Sequence, residues 1–318
     1  MKVLGLSFGR KMKCCELLVK EALMGAEKAG AEVSFISMMD LDIKHCKGCG
    51  ACGAGMRMGK QIKCVIMDDY DFVEQALLDT DAVIVAAPVY ALAPTGQFKN
   101  FLDRFGPAHD RMALEAEREK RKAAGAEPLD PRVLKERYVG YISVGGASTQ
   151  NWVSLGLPSM QLFGFSTLMK VVDQIDAYDM GRKGSPLLDT ELMNRVNLLG
   201  ENVGAAIGKD PGTLEWKGDD EGTCPVCHCN ILTVGKTTTV ECPICGISGK
   251  ISIDNDVISV NFSQEEQNRA RSTRTGLLEH YLEIANMPKA AVPKLEAAKD
   301  VLPGLLKKYE GYKEAVKK

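Results

Sequence analysis

The 318-residue sequence contains no apolar run of the roughly 18 residues that a membrane-spanning helix needs. The best stretch, AVIVAAPVYALA, is short and broken by Pro88. Excess charge of either sign is also lacking. Forty Lys and Arg against 42 Asp and Glu leave a formal net charge of −2, which gives no electrostatic reason to bind nucleic acid or an anionic membrane. The opening MKVLGLSFGR is too brief and too soon charged for a secretory signal, so a soluble, cytoplasmic protein is expected. No long-period repeat is present, which sets aside solenoid and propeller folds. No G-x-G-x-x-G follows a predicted strand, so a dinucleotide fingerprint is missing as well.

Cysteine, by contrast, is abundant. The count of eleven is odd, and nine of them fall in clusters with two-residue gaps. In a chain of this size, that spacing suits metal ligation in a reducing compartment better than a disulfide framework. Cys14 and Cys15 stand apart from both clusters.

Short apolar runs alternate with amphipathic segments. Strands are expected at 2–6, 32–37, 82–87, 138–144 and 166–172. Helices are expected near 14–29, 69–78, 97–105, 150–164 and 188–207. Near-continuous apolar strands in β-α alternation mean a parallel sheet covered on both faces. Five strands suit an α/β, flavodoxin-like, doubly wound sheet of order 2-1-3-4-5. The expected domains are 1–210, with a cysteine loop at 45–66 and a charged insertion at 109–136, a small β segment at 218–262, and a helical tail at 263–318. The insertion reads as a solvated surface helix, with a lid or an oligomer arm as the functional alternative.

Ligands of such sheets sit at the carboxyl ends of the strands. The first strand ends in Ser7-Phe8-Gly9-Arg10-Lys11-Met12-Lys13-Cys14-Cys15 and runs into a helix. Free amides and the positive dipole end suit a phosphate there, with Ser7, Arg10, Lys11 and Lys13 adding a hydroxyl and charge; the plain alternative is a basic surface turn. After the third strand, Pro88-Val89-Tyr90 and Pro94-Thr95-Gly96 frame a loop that can offer a flat apolar wall to a ring system. After the fourth, Gly145-Gly146-Ala147 allows close backbone approach. A mononucleotide is the expected ligand.

These three loops, in this order, resemble the NADPH-dependent FMN reductase group of flavodoxin-like proteins, and with the cysteine loop its iron–sulfur flavoprotein branch. The motifs carrying the resemblance are SFGRKMKCC, CKGCGAC followed by KCVIMDD, and APVYALAPTGQFKNFLDR, within residues 1–207. The resemblance implies FMN, with Ser7, Arg10, Lys13, Cys14 and Cys15 facing its phosphate. It places Pro88, Val89, Tyr90 and Leu92 along the ring, and Gly145, Gly146 and Ala147 on the other side. Two features depart from the family pattern: no proline follows the first-loop serine, and Cys14 and Cys15 replace small polar residues at the helix start. Their amides can still bind phosphate; alternatively they are packed thiols.

Cys46-x2-Cys49-x2-Cys52 has the spacing of the first three ligands in bacterial ferredoxin runs, and Cys64 can supply the fourth. A [4Fe–4S] cluster is expected, with zinc the rival. Lys47, Arg57, Lys60 and Lys63 would offset its charge. Downstream, Cys224-x2-Cys227 and Cys242-x2-Cys245 form two knuckles fourteen residues apart. That is a four-sulfur signature for structural zinc, with rubredoxin-like iron the alternative because CPIC precedes Gly246. His228 and Cys229 are spare and can replace a neighbour.

The expected function is an FMN-dependent iron–sulfur oxidoreductase or electron-transfer flavoprotein, passing electrons between the cluster and FMN. The resemblance implies a homo-oligomer, dimer or tetramer, with ferredoxin or NAD(P)H as electron partner. Two alternatives remain: a flavin reductase for a specific organic substrate, and a redox-responsive zinc-ribbon binding protein. The ribbon carries no basic stripe, so a nucleic-acid partner is not favoured.

Overall fold

The structure is a computed structural model that describes residues 1–57 and 62–313. Lys60, one of the charges assigned to the cysteine loop, lies outside the described residues, as does the side chain of Arg57. The chain falls into two compact units, Met1–Leu277 and Leu278–Lys318.

The first unit is built on a parallel sheet. Its strands are β1 (Lys2–Ser7), β2 (Glu32–Ser37), β3 (Ala82–Tyr90), β5 (Tyr138–Val144) and β6 (Lys170–Ala177), in the order β2-β1-β3-β5-β6. Relabelled without β4, this is the order 2-1-3-4-5. The two-residue β4 (Ala93–Pro94) folds back antiparallel on the end of β3. Central β1, β3 and β5 are buried along almost their whole length, as continuous apolar runs require when both faces are covered. Helices α1 (Cys14–Lys28) and α7 (Thr190–Ala206) cover one face; α3 (Tyr70–Leu78), α4 (Gly96–Ala108) and α6 (Gly156–Phe165) cover the other.

Two elements shift from expectation. The fifth strand starts at Lys170, not Ser166. Residues 166–169 close α6 instead: Leu168 takes φ 55°, the Met169 amide donates to the Gly164 carbonyl (3.0 Å), and the Thr167 hydroxyl does the same (3.2 Å). An apolar run thus splits between a helix cap and a strand. The helix expected over 150–164 is a single 3₁₀ turn, Gln150–Trp152, followed by α6.

α1 and α7 cross at backbone contact. A Cβ on Gly25 would lie 1.9 Å from the Asn197 carbonyl oxygen, and one on Gly200 would lie 1.7 Å from that of Ala22. Both obstacles are backbone atoms, so relief requires moving a helix. We expect Gly25→Ala and Gly200→Ala each to destabilise by at least the ~1–3 kcal/mol typical of overpacking. The check is a lowered urea midpoint at unchanged m-value.

The insertion is not simply solvated. Asp110 caps α5 (Arg111–Ala124) by accepting from the Ala113 amide, and Gly125 ends it in the left-handed conformation. Met112 and Leu114 are buried, and Glu117 and Arg121 form a buried pair at 2.8 Å. Arg274 pairs with Glu115 and holds that carboxyl down to about 2.

The cysteine loop carries α2 (Ala51–Arg57). Beyond α7 a linker leads to an antiparallel sheet of β7 (Thr233–Val234), β8 (Thr239–Glu241), β9 (Ser248–Asp254) and β10 (Val257–Asn261), in the order β10-β9-β8-β7. Two further helices, α8 (Gln264–Asn268) and α9 (Arg274–Ala297), follow. The second unit holds the rest of α9, which carries Pro288 and Pro293 within it, and α10 (Leu302–Lys307); Leu282, Ile284, Met287 and Leu305 are exposed along it. Among the described residues, no helix is long and apolar enough to cross a membrane.

Candidate functional site

The ends of β1, β3 and β5 bring the three predicted loops to one edge of the sheet. Ser7, the last residue of β1, is buried, and its hydroxyl accepts from the Gly9 amide at 3.4 Å. Arg10 and Lys11 are exposed; Lys13 is half-exposed at the N-cap of α1, and its side chain does not cap the helix. The thiols of Cys14 and Cys15 turn inward. Cys14 donates to the carbonyls of Arg182 (3.1 Å) and Met180 (3.4 Å). Burial pushes the Cys15 thiol up to about 12, so it stays protonated. Only the backbone amides of these two residues are therefore offered outward.

A carboxylate sits in the first turn. Glu16 is buried, yet its carboxyl accepts from the Met12 amide (2.8 Å) and from Lys20 (2.6 Å). Burial raises its pKa, but these two donors outweigh it and hold the carboxyl below the usual range. Lys20 and Lys11 counter that charge, which leaves Arg10 and Lys13 as further cations of the loop. An uncapped helix end with three cations nearby fits the phosphate of a mononucleotide.

Pro88 is buried at the end of β3, Val89 is half-buried, and Tyr90 and Leu92 are exposed. Ala91 (φ 50°) and Leu92 (φ 72°) both take the left-handed conformation, which is strained for residues with a side chain. On the neighbouring strand, Gly145 is buried while Gly146 and Ala147 reach the surface. The Gly145 amide donates to the Ala177 carbonyl (2.8 Å) and the Asp179 amide to that of Ala147 (3.0 Å), so the loop after β6 closes against them. Asp176, paired in register with Ser143, lies at the same strand ends, and burial raises its carboxyl pKa. Asp176 lies beyond the 166–172 strand expected from the sequence, and no motif there singles it out.

The upstream cysteines occupy the connection from β2 to α3. Cys46 and Cys49 are exposed; Cys52, in α2, and Cys64 are half-buried. Gly48 (φ 61°) and Gly50 (φ 68°) take the conformations that a tight wrap demands. The stems of this loop are held by one face of α4. Gln97 donates to the carbonyls of Met38 and Leu41, Asn100 to Ile43 (3.2 Å), and Arg104 to Lys44 (3.2 Å) and Ile66 (3.3 Å). Arg104 also pairs with the buried Asp68 at 2.5 Å. Burial disfavours its charge, but Asp68 and Cys64 outweigh that and raise its pKa. Cys64 therefore lies within hydrogen-bond reach of the Arg104 guanidinium. Among the described residues, these four cysteines do not form a group with single-ion spacing. A cubane cluster spreads its ligands wider than one ion does, and four accessible thiols on a pinned loop are compatible with one.

The downstream cysteines do converge. The sulfurs of Cys224, Cys227, Cys242 and Cys245 lie within 4.8 Å of one another, and all four residues are buried. The Cys227 and Cys242 sulfurs are 3.6 Å apart, close to the edge of about 3.8 Å that a tetrahedron with ~2.3 Å metal–sulfur bonds has. The two knuckles repeat one geometry. His228 (φ 58°) donates its amide to the Cys224 carbonyl (2.9 Å) as Gly246 (φ 71°) does to Cys242 (2.7 Å). The His228 ring stacks on Trp216, with centroids 3.7 Å apart, and Nδ1 lies 2.7 Å from the Glu221 carbonyl. His228 and Cys229 both stand outside the four-sulfur group. The buried Gln161 on α6 donates to both Gln174 of β6 (2.6 Å) and the Cys227 carbonyl (3.0 Å), stapling the first knuckle to the sheet domain.

Comparison with known proteins follows the same division. Residues 1–157 match the family "NADPH-dependent FMN reductase". Flavone synthase cfoJ of Aspergillus candidus is 28% identical over 296 residues, 89% of this chain and 88% of that protein. An iron–sulfur flavoprotein of Archaeoglobus fulgidus is 36% identical over 116 residues, covering 36% of this chain and half, 50%, of that protein. A solved flavone reductase superposes with TM-score 0.84 at 26% identity, over 100% of both chains. Residues 1–157, with the phosphate loop, the PVY loop and most of the parallel sheet, thus match the NADPH-dependent FMN reductase family, and the chain is a flavin-dependent oxidoreductase.

Proposed function

We propose that this protein is an FMN-dependent oxidoreductase that reduces a planar aromatic acceptor of the flavone class with NAD(P)H. The observation that carries the reading is the extent of likeness: flavone reductase matches the whole chain, ribbon and tail included, whereas the iron–sulfur flavoprotein matches about a third. FMN, when bound, accepts a hydride and passes its electrons on singly or in pairs. The chain's own residues do the holding. Arg10, Lys11, Lys13 and the first amides of α1 bind the phosphate, and the 88–92 and 145–147 loops wall in the ring and exclude water. Asp176, its carboxyl kept protonated longer by burial, can hold a proton beside that edge.

The downstream thiolates of Cys224, Cys227, Cys242 and Cys245 would hold zinc as a structural ion, with iron the alternative. A second reading, one-electron transfer through a [4Fe–4S] cluster held by Cys46, Cys49, Cys52 and Cys64, is favoured by the pinned loop and by Arg104 beside Cys64. In that reading the working form is a homodimer or homotetramer, and ferredoxin is an electron partner.

Anaerobic incubation of FMN-loaded protein with NAD(P)H and a flavone tests the two. We expect a product heavier by two hydrogens in the mass spectrum. Ferredoxin reduction with the flavone left intact would replace the first reading by the second.

A further inference from the structure

The crevice has a second wall that none of the three predicted loops contains. After Ala147 the chain runs through the 3₁₀ turn Gln150–Trp152 and enters α6. There the Leu155 amide donates to the Leu92 carbonyl at 3.2 Å, tying this turn directly to the tip of the PVY loop. Leu92 is one of two consecutive residues held left-handed, and such strain persists only where its surroundings enforce it. Val153 is buried, whereas the neighbouring Trp152 stays outside. Four residues on these two segments are exposed: Trp152 at 64% and Tyr90 at 57%, with Leu155 at 41% and Leu92 at 37%.

Two aromatic and two leucine side chains are thus exposed on two segments joined by the Leu155–Leu92 bond, and clustered exposed apolar residues mark binding surfaces. These segments adjoin the strand ends where the mononucleotide fits, and they face ligand through rings and branched alkyl groups, which suit a flat apolar molecule.

We infer that Trp152 is the specificity-determining residue of this site: its indole is the wall against which a planar aromatic acceptor packs, and it takes no part in holding FMN. The inference deepens the flavone reading and rests on it for the class of acceptor. Stacking an aromatic ring against Trp152 adds affinity for planar ligands over flexible ones, while the phosphate loop lies on β1 and is untouched.

The test is binding of unsubstituted flavone to the oxidised, FMN-loaded protein, followed by calorimetry, in wild type, Trp152→Ala and Trp152→Phe. Trp152→Ala is expected to weaken flavone binding about tenfold or more, the loss of one aromatic stacking partner together with its buried area. Trp152→Phe, which keeps a ring, is expected to recover most of it. FMN affinity, read by quenching of flavin fluorescence, should be the same in all three. Flavone binding unchanged in Trp152→Ala, or absent in wild type, overturns the inference. So does a Trp152→Ala protein that loses FMN equally or changes oligomeric mass in light scattering, since the indole would then serve the cofactor or a second copy of the chain. Wild-type protein that binds flavone through Trp152 but never reduces it would overturn the proposed function alone.

Discussion

Cys242→Ser is expected to unfold the ribbon while leaving the sheet domain intact. The segment 218–262 has few apolar residues to hold it: beyond its five cysteines, only Val240, Ile247 and Phe262 are fully buried there. What remains is the four-sulfur site, and a structural zinc, if this is the ion it holds as proposed, would contribute about 10–16 kcal/mol to folding of a small domain. Losing one ligand removes much of that. Bound metal should fall from one ion per chain toward none, and trypsin should cut at Lys250, which lies in the paired strand β9. FMN binding should persist, because the phosphate and ring loops lie on the sheet domain. The lost Gln161 bond to the Cys227 carbonyl would cost that domain only about 1 kcal/mol. A protease-resistant, metal-free ribbon would show that the sulfurs are merely packed. Chelation of the wild-type protein should reproduce the variant's cleavage pattern.

Arg104→Ala is expected to be among the most damaging single changes in the sheet domain. Arg104 and Asp68 are both buried, so removing the guanidinium strands a carboxylate, which typically costs ~3–5 kcal/mol. It also frees the carbonyls of Lys44 and Ile66 at the stems of the cysteine loop and uncovers the face of Tyr70, over which the guanidinium lies at 4.2 Å. The acid dependence follows from Asp68. Burial raises its carboxyl, but Arg104 and the Lys44 and Tyr70 amides outweigh that and hold it below the usual range. A depressed folded-state pKa stabilises above the unfolded carboxyl value of about 3.9 and loses that stabilisation as pH falls through the folded value. Wild-type stability should therefore drop below about pH 4. Arg104→Ala should start lower and lose less in acid, because its stranded carboxyl gains from protonation. Urea midpoints at neutral and acid pH read both effects. A double variant, Arg104→Ala with Asp68→Ala, should recover part of the loss, since neither charge is then left alone.

The strands and the metal knuckles were legible in the sequence because their signals are local. Val83–Ala87 is an apolar run that only a doubly covered strand accommodates, and each C-x2-C pair fixes its own turn. His228 shows the limit of that kind of inference: it stands where a knuckle wants glycine, yet it adopts the same left-handed backbone as Gly246. The start of β6 was misplaced because Thr167–Met169 is as apolar as the strand it precedes, and only the return bonds to Gly164 reveal a helix cap. The Arg104–Asp68 pair joins residues 36 positions apart, and the Gln161–Cys227 contact spans 66; nothing in the periodicity of either segment announces such partners. Trp152 was hidden for another reason. It lies in a stretch expected to be helical, where a tryptophan is ordinarily taken as core.

Gln97, Asn100 and Arg104 grip the cysteine loop chiefly through main-chain oxygens of its two stems, at Met38, Leu41, Ile43, Lys44 and Ile66. Every amino acid carries that same oxygen. Apart from the Arg104–Cys64 contact, the rail on α4 is thus indifferent to what the loop between the stems spells, and behaves as a socket for inserts whose ends meet it. Splicing in a shorter or cysteine-free segment between residues 45 and 65 should leave the surrounding scaffold standing, which makes this connection the natural place to exchange one insert for another.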